Sequence, residues 1–558
     1  SFLRGNWISG INFLDEGKIG PQDNLPDFMK DQPTRNTYYF LPLLFGLIGL
    51  FYQYNQGKKG KESFAVTMML FVFTGIAIVV YLNQYPYQPR ERDYAYAGSF
   101  YAFAIWIGLS VPALFSIVQK VIKGNAGAIL STLIVLALVP GILASENWDD
   151  HDRSNRYMAR DYAINYLESC APNAILFTYG DNDTFPLWYV QEVEGVRPDI
   201  KIVNLSYLGM DWYISQQKMA TNNAAPVPFS FDKEKYYMGR RDAVLFQERI
   251  KNSVELSEAM DFLGSDDVRT KVKVTSGEMI DFLPSRSFHI TVDKQKVIES
   301  GTVKPEDFDL IVDKVEFRIN KNYLVKSEMA ILNMIAANNW ERPIYIDHSL
   351  LYTGHIFFLD YLQFEGLAYR FVPIQTKRSG MKNGRVDSDI LYDNVMNKFV
   401  WGNVNDPDVF LDDYNKKEIN IIQGRHMFSY LAETLINEGK NEKATGVLDK
   451  MFDLFPNEKI PLSYESFSAI EQYYRINEIE KANKLTQIMA ENSLALLNYY
   501  VTLPERFARA AQDEQKREMS NLQNLLYLTQ RYKQQEINKN IDDQLKELIS
   551  QLQSEIDS

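Results

Sequence analysis

A single cysteine, Cys170, in 558 residues rules out internal disulfides and any cysteine-based metal-ligand spacing. It permits an oxidising compartment without proving one. Positive charge is also scarce: 59 Lys and Arg stand against 72 Asp and Glu, a formal net charge of −13. Phosphate-rich partners need a basic surface, so this balance argues against nucleic acid as the main partner. There is no phosphate-loop glycine motif, no dinucleotide fingerprint and no Ser–His–Asp spacing. The chain starts at Ser1 without the basic, apolar and cleavage regions of a signal peptide. We expect it to be a piece of a longer product, with an upstream transmembrane half of the same protein as a partner.

Against these absences stand four uncharged apolar stretches, roughly Tyr38–Tyr54, Phe64–Leu82, Phe100–Val118 and Ala126–Ala144. Each has the length a helix needs to cross a hydrocarbon core of ~30 Å. Pro112 and Pro140 fall inside the last two, where neighbouring membrane helices can satisfy the freed carbonyls. Tyrosines 38, 39, 52, 54, 81, 85, 87, 94 and 96 crowd the expected boundaries, as in an interfacial aromatic belt. Residues 1–36 then form an external interfacial segment, and 37–145 a four-span transmembrane domain. Lys58, Lys59 and Lys61 follow the first stretch, and Lys120 and Lys123 the third, which places both loops on the cytoplasmic side. Arg90 and Arg92 count against that orientation, but less densely. The large carboxy-terminal region is therefore expected in the periplasm, attached to the cytoplasmic (inner) membrane.

The fold class expected is a membrane α-helical part of four spans, followed by an α/β periplasmic domain and an all-α tetratricopeptide-like tail. From Asn147 to Glu168 the fourth span reads as continuing into an amphipathic helix. Ala174–Tyr179 reads as a buried strand, residues 180–184 as a turn, Pro186–Glu194 as a helix entered through proline, and Ile200–Ser206 as a second strand. That is a βαβ unit with parallel strands. A helix at Lys326–Asn338, a strand at Pro343–Asp347 and a possible strand at Tyr369–Ile374 extend the α/β domain, which runs over 146–375. Residues 219–320 read as a lid-like excursion with short strands near Lys271–Thr275 and Phe288–Val292. A polar linker is expected at 376–420. In the helical domain, 421–558, Gly439 and Ala444 are matched 38 residues later by Asn477 and Ala482. This offset fits either degenerate tetratricopeptide-type hairpins or a plain helical cap. The last stretch, from Gln512, reads as a charged amphipathic tail.

Three clusters can carry chemistry. The first is Arg90-Glu91-Arg92-Asp93-Tyr94, charge placed beside a bilayer. Two guanidiniums can grip a phosphate with forked hydrogen bonds, and Glu91 and Asp93 can orient them. A pair of salt bridges pinning the loop is the alternative. The second, Asp149, Asp150, His151 and Asp152, offers three carboxylates and an imidazole for a divalent metal ion. It can equally be read as helix-end charge with i,i+4 ion pairs to Arg153 and Arg156. The third is Asp181, Asn182 and Asp183, at the carboxyl end of a parallel strand, where open α/β sheets bind ligands. The same residues also suit a turn and a helix cap. His348 and His355, beside Asp347 and Asp360, are a weaker metal candidate.

The run from Tyr85 to Tyr101, containing Pro89-Arg90-Glu91-Arg92-Asp93-Tyr94-Ala95-Tyr96-Ala97-Gly98-Ser99, resembles the signature of a family of polytopic bacterial envelope proteins. Trp148-Asp149-Asp150-His151-Asp152-Arg153 and Tyr179-Gly180-Asp181-Asn182-Asp183-Thr184-Phe185-Pro186 fit the same family. Its members are described as protein O-mannosyltransferase-like, within the membrane C-type glycosyltransferase superfamily. The resemblance extends through about residue 375. It implies that this is the carboxy-terminal part of an enzyme moving a sugar from a polyprenyl-phosphate carrier, a membrane lipid, to a protein or glycan acceptor. Such enzymes place their catalytic carboxylate in the first external loop, which would lie upstream, so the catalytic residue here is unknown. Arg90 and Arg92 are then expected to recognise the carrier head group. The alternative is a non-catalytic membrane-anchored scaffold recruiting envelope proteins through its helical repeats.

Overall fold

Long uncharged runs become helices in hydrocarbon because every backbone N–H and C=O must find a partner within its own segment. In the computed structural model, which describes residues 7–30, 32–85, 92–273, 277–376, 384–419 and 424–557, these runs form α1 (Leu41–Tyr54), α2 (Gly57–Leu82), α3 (Ala97–Val118) and α4 (Asn125–His151). Three helices are long and apolar enough to cross a membrane, against the four expected; α1 is not one of them. Its 14 residues span ~21 Å at 1.5 Å per residue, short of the ~30 Å core.

The chain divides into two compact units: Ser1–Arg153 with Ser493–Gln523 and Ile541–Ser558, and Ser154–Asn492 with Asn524–Asn540. In the first, α1 lies directly against α3. A Cβ added at Gly49 would stand 1.7 Å from the Trp106 carbonyl oxygen, so only glycine lets the two backbones meet there. Trp106 Nε1 donates to Gln53 Oε1 at 2.8 Å, which satisfies a polar pair inside the bundle. At the other end of α1, Asn36 Nδ2 donates to Asn147 Oδ1 (2.9 Å) and Asp150 Oδ2 (3.2 Å), and the Tyr38 hydroxyl donates to Asn147 Oδ1 (2.7 Å). The start of α1 and the end of α4 therefore lie at the same end of the bundle.

The long helix expected to run on to Glu168 is broken. α4 stops at His151 and α5 covers Met158–Glu168. Between them Asp152 is extended and Asn155 has φ 57, a conformation asparagine tolerates and a helix does not.

The second unit is built on a six-stranded mixed sheet. Its strands are β1 (Ile175–Thr178), β2 (Lys201–Asn204), β3 (Ile344–Asp347), β4 (Leu362–Phe364), β5 (Ala368–Phe371) and β6 (Arg385–Val386), in the order β6-β4-β5-β3-β1-β2. Strands β1 to β3 are fully buried, and this is why they read as continuous apolar runs rather than alternating ones. β3, β1 and β2 are parallel, with Tyr345 opposite Leu176 and Leu176 opposite Ile202. From β1 the chain passes through α6 (Asp181–Glu192) to β2 on one side. On the other side β3 follows α7 (Lys326–Asn338), which matches its predicted range. The connections thus diverge between β1 and β3, the switch point at which open α/β sheets bind ligands.

The excursion at 219–320 contributes to two further sheets, a three-stranded and a four-stranded one, which include Lys271–Lys273 and Ser287–Thr291. The stretch expected as a polar linker is folded where described. Leu391, Val395, Phe399 and Val404 are buried, and the Asn165 side chain bonds both the N–H and the C=O of Val400. Beyond it, Arg425–Asn437 pairs with Asn441–Leu454, and Phe467–Arg475 precedes Ile479–Val501. Gly439 (φ 76) and Asn477 (φ 65) occupy equivalent left-handed turns, with Ala444 and Ala482 buried after them. The tail is two helices, Gln512–Arg531 and Gln535–Asp557, interrupted at Lys533 (φ 58).

Candidate functional site

Three parallel strands end in polar residues: Thr178 on β1, Asn204 on β2 and Asp347 on β3. After β1, Gly180 adopts φ 83, a value glycine reaches without strain, and turns the chain into α6. The turn is held from β2. Asn204 Nδ2 donates to Thr184 Oγ1 (2.8 Å) and Gly180 O (3.2 Å), and Thr178 and Thr184 hydroxyls meet at 2.8 Å. The helix was expected to start at Pro186. It starts at Asp181, because the Gly180 turn and the two carboxylates of its first turn supply an N-terminus that the proline does not.

This places Asp183 beside Asp347. The Ser349 hydroxyl lies 2.9 Å from Asp183 Oδ2 and 3.1 Å from Asp347 Oδ2, and so joins the two carboxyl groups. Tyr166 on α5 donates its hydroxyl to Asp347 Oδ1 at 2.6 Å and accepts the His348 N–H at 3.1 Å. Ser349 N–H also donates to Asp347 Oδ1, at 2.9 Å. Burial, and then the neighbouring Asp183, push Asp347 up to about 8. Burial also raises Asp183, while hydrogen bonds from Ser349 and Asp347 pull it back down. Near neutral pH, then, Asp347 is protonated, with the Ser349 hydroxyl between it and Asp183. Two carboxyl groups joined through a hydroxyl can hold an incoming hydroxyl group by hydrogen bonds in both directions.

The pair opens into a cavity of about 320 Å³, lined also by Asp181, Asn182, Tyr162, His348 and Tyr414. Burial holds His348 down at about 4, so it faces the cavity as a neutral imidazole. At the rim Arg156 Nη2 donates to Asn415 Oδ1 and to Asp412 Oδ2, both at 2.6 Å.

Of the residues singled out in the sequence, Asp181, Asn182 and Asp183 thus share one cavity, with Asp181 and Asn182 exposed at its mouth. Asp347, Ser349 and Tyr166 were not assigned to it. The available signal was a carboxylate at the carboxyl end of a predicted strand, Pro343–Asp347. Arg90 and Glu91 lie outside the described residues. Arg92 immediately precedes the short turn Asp93–Tyr96 that leads into α3, with Tyr94 exposed and its N–H on Asp93 Oδ1 at 3.0 Å; all three belong to the first unit. At the end of α4, His151 Nδ1 is 2.7 Å from Asp150 Oδ1. Among the described residues no group of three or more His, Cys, Asp or Glu side chains is arranged to hold a metal ion. Asp149, Asp150 and His151 follow one another on a helix, where neighbouring positions fan apart, and Asp152 is already beyond it. His355 lies away from His348, its Nδ1 2.8 Å from Glu328 Oε1.

Residues 159–390, which contain the sheet and the acid pair, match the family model described as TMEM260-associated domain 2. A curated relative, the protein O-mannosyl-transferase tmem260 of Dictyostelium discoideum, is 25% identical over 189 residues, covering 30% of this chain and 23% of the relative. The match therefore spans less than a quarter of that relative's length. No solved structure matches the chain. The apolar helices support a membrane protein, and its α/β domain is similar to the TMEM260-associated domain 2.

Proposed function

We propose that this chain is the carboxy-terminal part of a membrane glycosyltransferase and that its α/β domain receives the acceptor. The sugar comes from a polyprenyl-phosphate carrier. The acceptor oxygen bonds to the anomeric carbon with inversion, the carrier phosphate leaves with its electron pair, and the hydroxyl proton passes to a carboxylate. The observation that carries this reading is the Asp183–Asp347 pair. Two carboxyl groups joined through Ser349 in a cavity at the switch point suit a hydroxyl that must be held as both donor and acceptor.

Arg90 and Arg92 recognise the carrier phosphate, and Glu91 and Asp93 orient the two guanidiniums, with Tyr94 as a further contact to the head group. Asn36 and Asp150 meeting at one end of the bundle supports α1 as a fourth crossing, shortened and accommodated by local thinning of the bilayer. The lysine loops then face the cytoplasm, and the α/β domain faces the periplasm.

The test is transfer by the full-length protein in proteoliposomes supplied with polyprenyl-phosphate sugar. Asp183→Asn should raise the acceptor KM at least about tenfold with little change in kcat, the signature of lost acceptor binding. An unchanged acceptor KM removes this role. No transfer from any lipid-linked sugar by the intact protein would favour the scaffold instead.

A further inference from the structure

A second cavity in the α/β domain is larger, about 630 Å³, and is built from different chemistry. Five aromatic rings line it, and four of them form a row. Phe185 stacks on Trp188 at 5.4 Å between centroids and 24° between planes, Trp188 on Tyr207 at 6.4 Å and 14°, and Tyr207 meets Trp212 at 6.4 Å and 41°. Trp212 is 57% exposed and Phe185 44%. Rings of this size left half in water mark a surface kept free for something to cover.

The rest of the lining mixes apolar residues, among them Pro198, Ile200 and Ile202, with amides, and its charged residues are Glu192 and Lys201. Gln217 is 4% exposed, and its Oε1 is buried with no hydrogen-bond partner among the described residues. Asn222 Nδ2 reaches Glu192 Oε1 at 2.8 Å. Lys201 pairs with no carboxylate among the described residues. Its Nζ donates to Met219 O (2.9 Å) and Thr221 Oγ1 (2.7 Å), which leaves one of its three donors over.

We propose that this groove is a saccharide-binding site. A pyranose ring has one face of C–H bonds and an edge of hydroxyl groups, and an aromatic platform flanked by amides answers both at once. A phosphate-rich ligand would need more cations than the one lysine here. A peptide adding as a strand would need the free edge of β2, but the outward N–H of Asn204 already bonds the Tyr213 hydroxyl at 2.9 Å. The inference goes beyond sugar transfer and stands without it, because binding needs neither donor lipid nor turnover.

The experiment uses the full chain in lipid nanodiscs, titrated with cellotriose, mannotriose and chitotriose. Binding is read by tryptophan fluorescence and by saturation transfer to sugar protons. At least one trisaccharide should bind in the micromolar to millimolar range. Trp212→Ala, at an exposed position, should weaken that binding about tenfold or more while the fold survives, and Trp212→Phe should restore part of it. Gln217→Met, which fills the same space without the acceptor, should weaken it by a smaller factor. Absence of binding by all three sugars, binding that Trp212→Ala leaves unchanged, or capture of an aromatic- and proline-rich peptide set in their place would each overturn the proposal.

Discussion

Helix α6 contributes to two cavities, and they differ in what their walls lack. The cavity at the amino end of the helix is carboxyl-rich: Asp181, Asp183 and Asp347, bridged by Ser349 and backed by Tyr166. The groove further along the same helix is ring-rich and has one buried lysine. Phe185 lines both. One short helix therefore presents acid chemistry at its first turn and apolar area along its body. The difference shows that position along an element, not the element itself, sets what a wall can bind. Acids belong where the helix N-terminus and the strand ends supply donors, and rings belong where they can lie flat against each other.

The largest effect should come from the residue on which the shared turn depends. Asn204→Ala removes bonds to Gly180 O and Thr184 Oγ1 and the acceptor for the Ser206 N–H, all beside a fully buried side chain. The expected loss is about 2–4 kcal/mol of stability, read as a lower thermal midpoint, with both cavities impaired. If only the acid cavity suffers, the two are not built on the same turn.

Next is the proton on Asp347. Its affinity is raised in the folded state, so its contribution is full below the unfolded value near 4 and is lost as pH rises through about 8. Stability should fall across that window with a slope of up to about 1.4 kcal/mol per pH unit. Asp347→Asn keeps the acceptor for Tyr166 and a donor toward Asp183, and should flatten the slope and raise the midpoint at pH 8. A slope that persists in this variant would place the titrating group elsewhere.

The smallest effect on stability should come from Phe185→Ala, within about 1 kcal/mol because the ring is already 44% exposed. Its value is diagnostic. Trisaccharide binding and acceptor KM should both worsen, and a change in only one would show that the ring serves a single cavity. The Arg90→Ala, Arg92→Ala double variant provides a control on the first unit: transfer should drop while trisaccharide binding is untouched.

Local patterns carried much of the fold. The apolar stretches, α7 and the buried strands on either side of the switch point were readable because each is a run of one kind of residue with one period. The continuous helix expected through Glu168 failed because the signal that ends it, Asp152 to Asn155, is conformational and interrupts no hydrophobic period. The acid pair was half visible. Asp183 stood out within a polar turn, whereas Asp347 looked like the end of a strand, and Ser349 and Tyr166 looked like nothing in particular. Tyr166 lies 181 positions from Asp347 and Ser349 lies 166 from Asp183, separations that no spacing rule spans.

Sequence by itself determined that this protein has membrane-length apolar helices, a βαβ core and a net negative charge, because composition and periodicity act over neighbouring residues. Only the tertiary structure decided that Asp183 and Asp347 meet through Ser349 and that a row of rings lines one groove. Burial and proximity set those properties, and both arise when distant segments are brought to the same sheet edge.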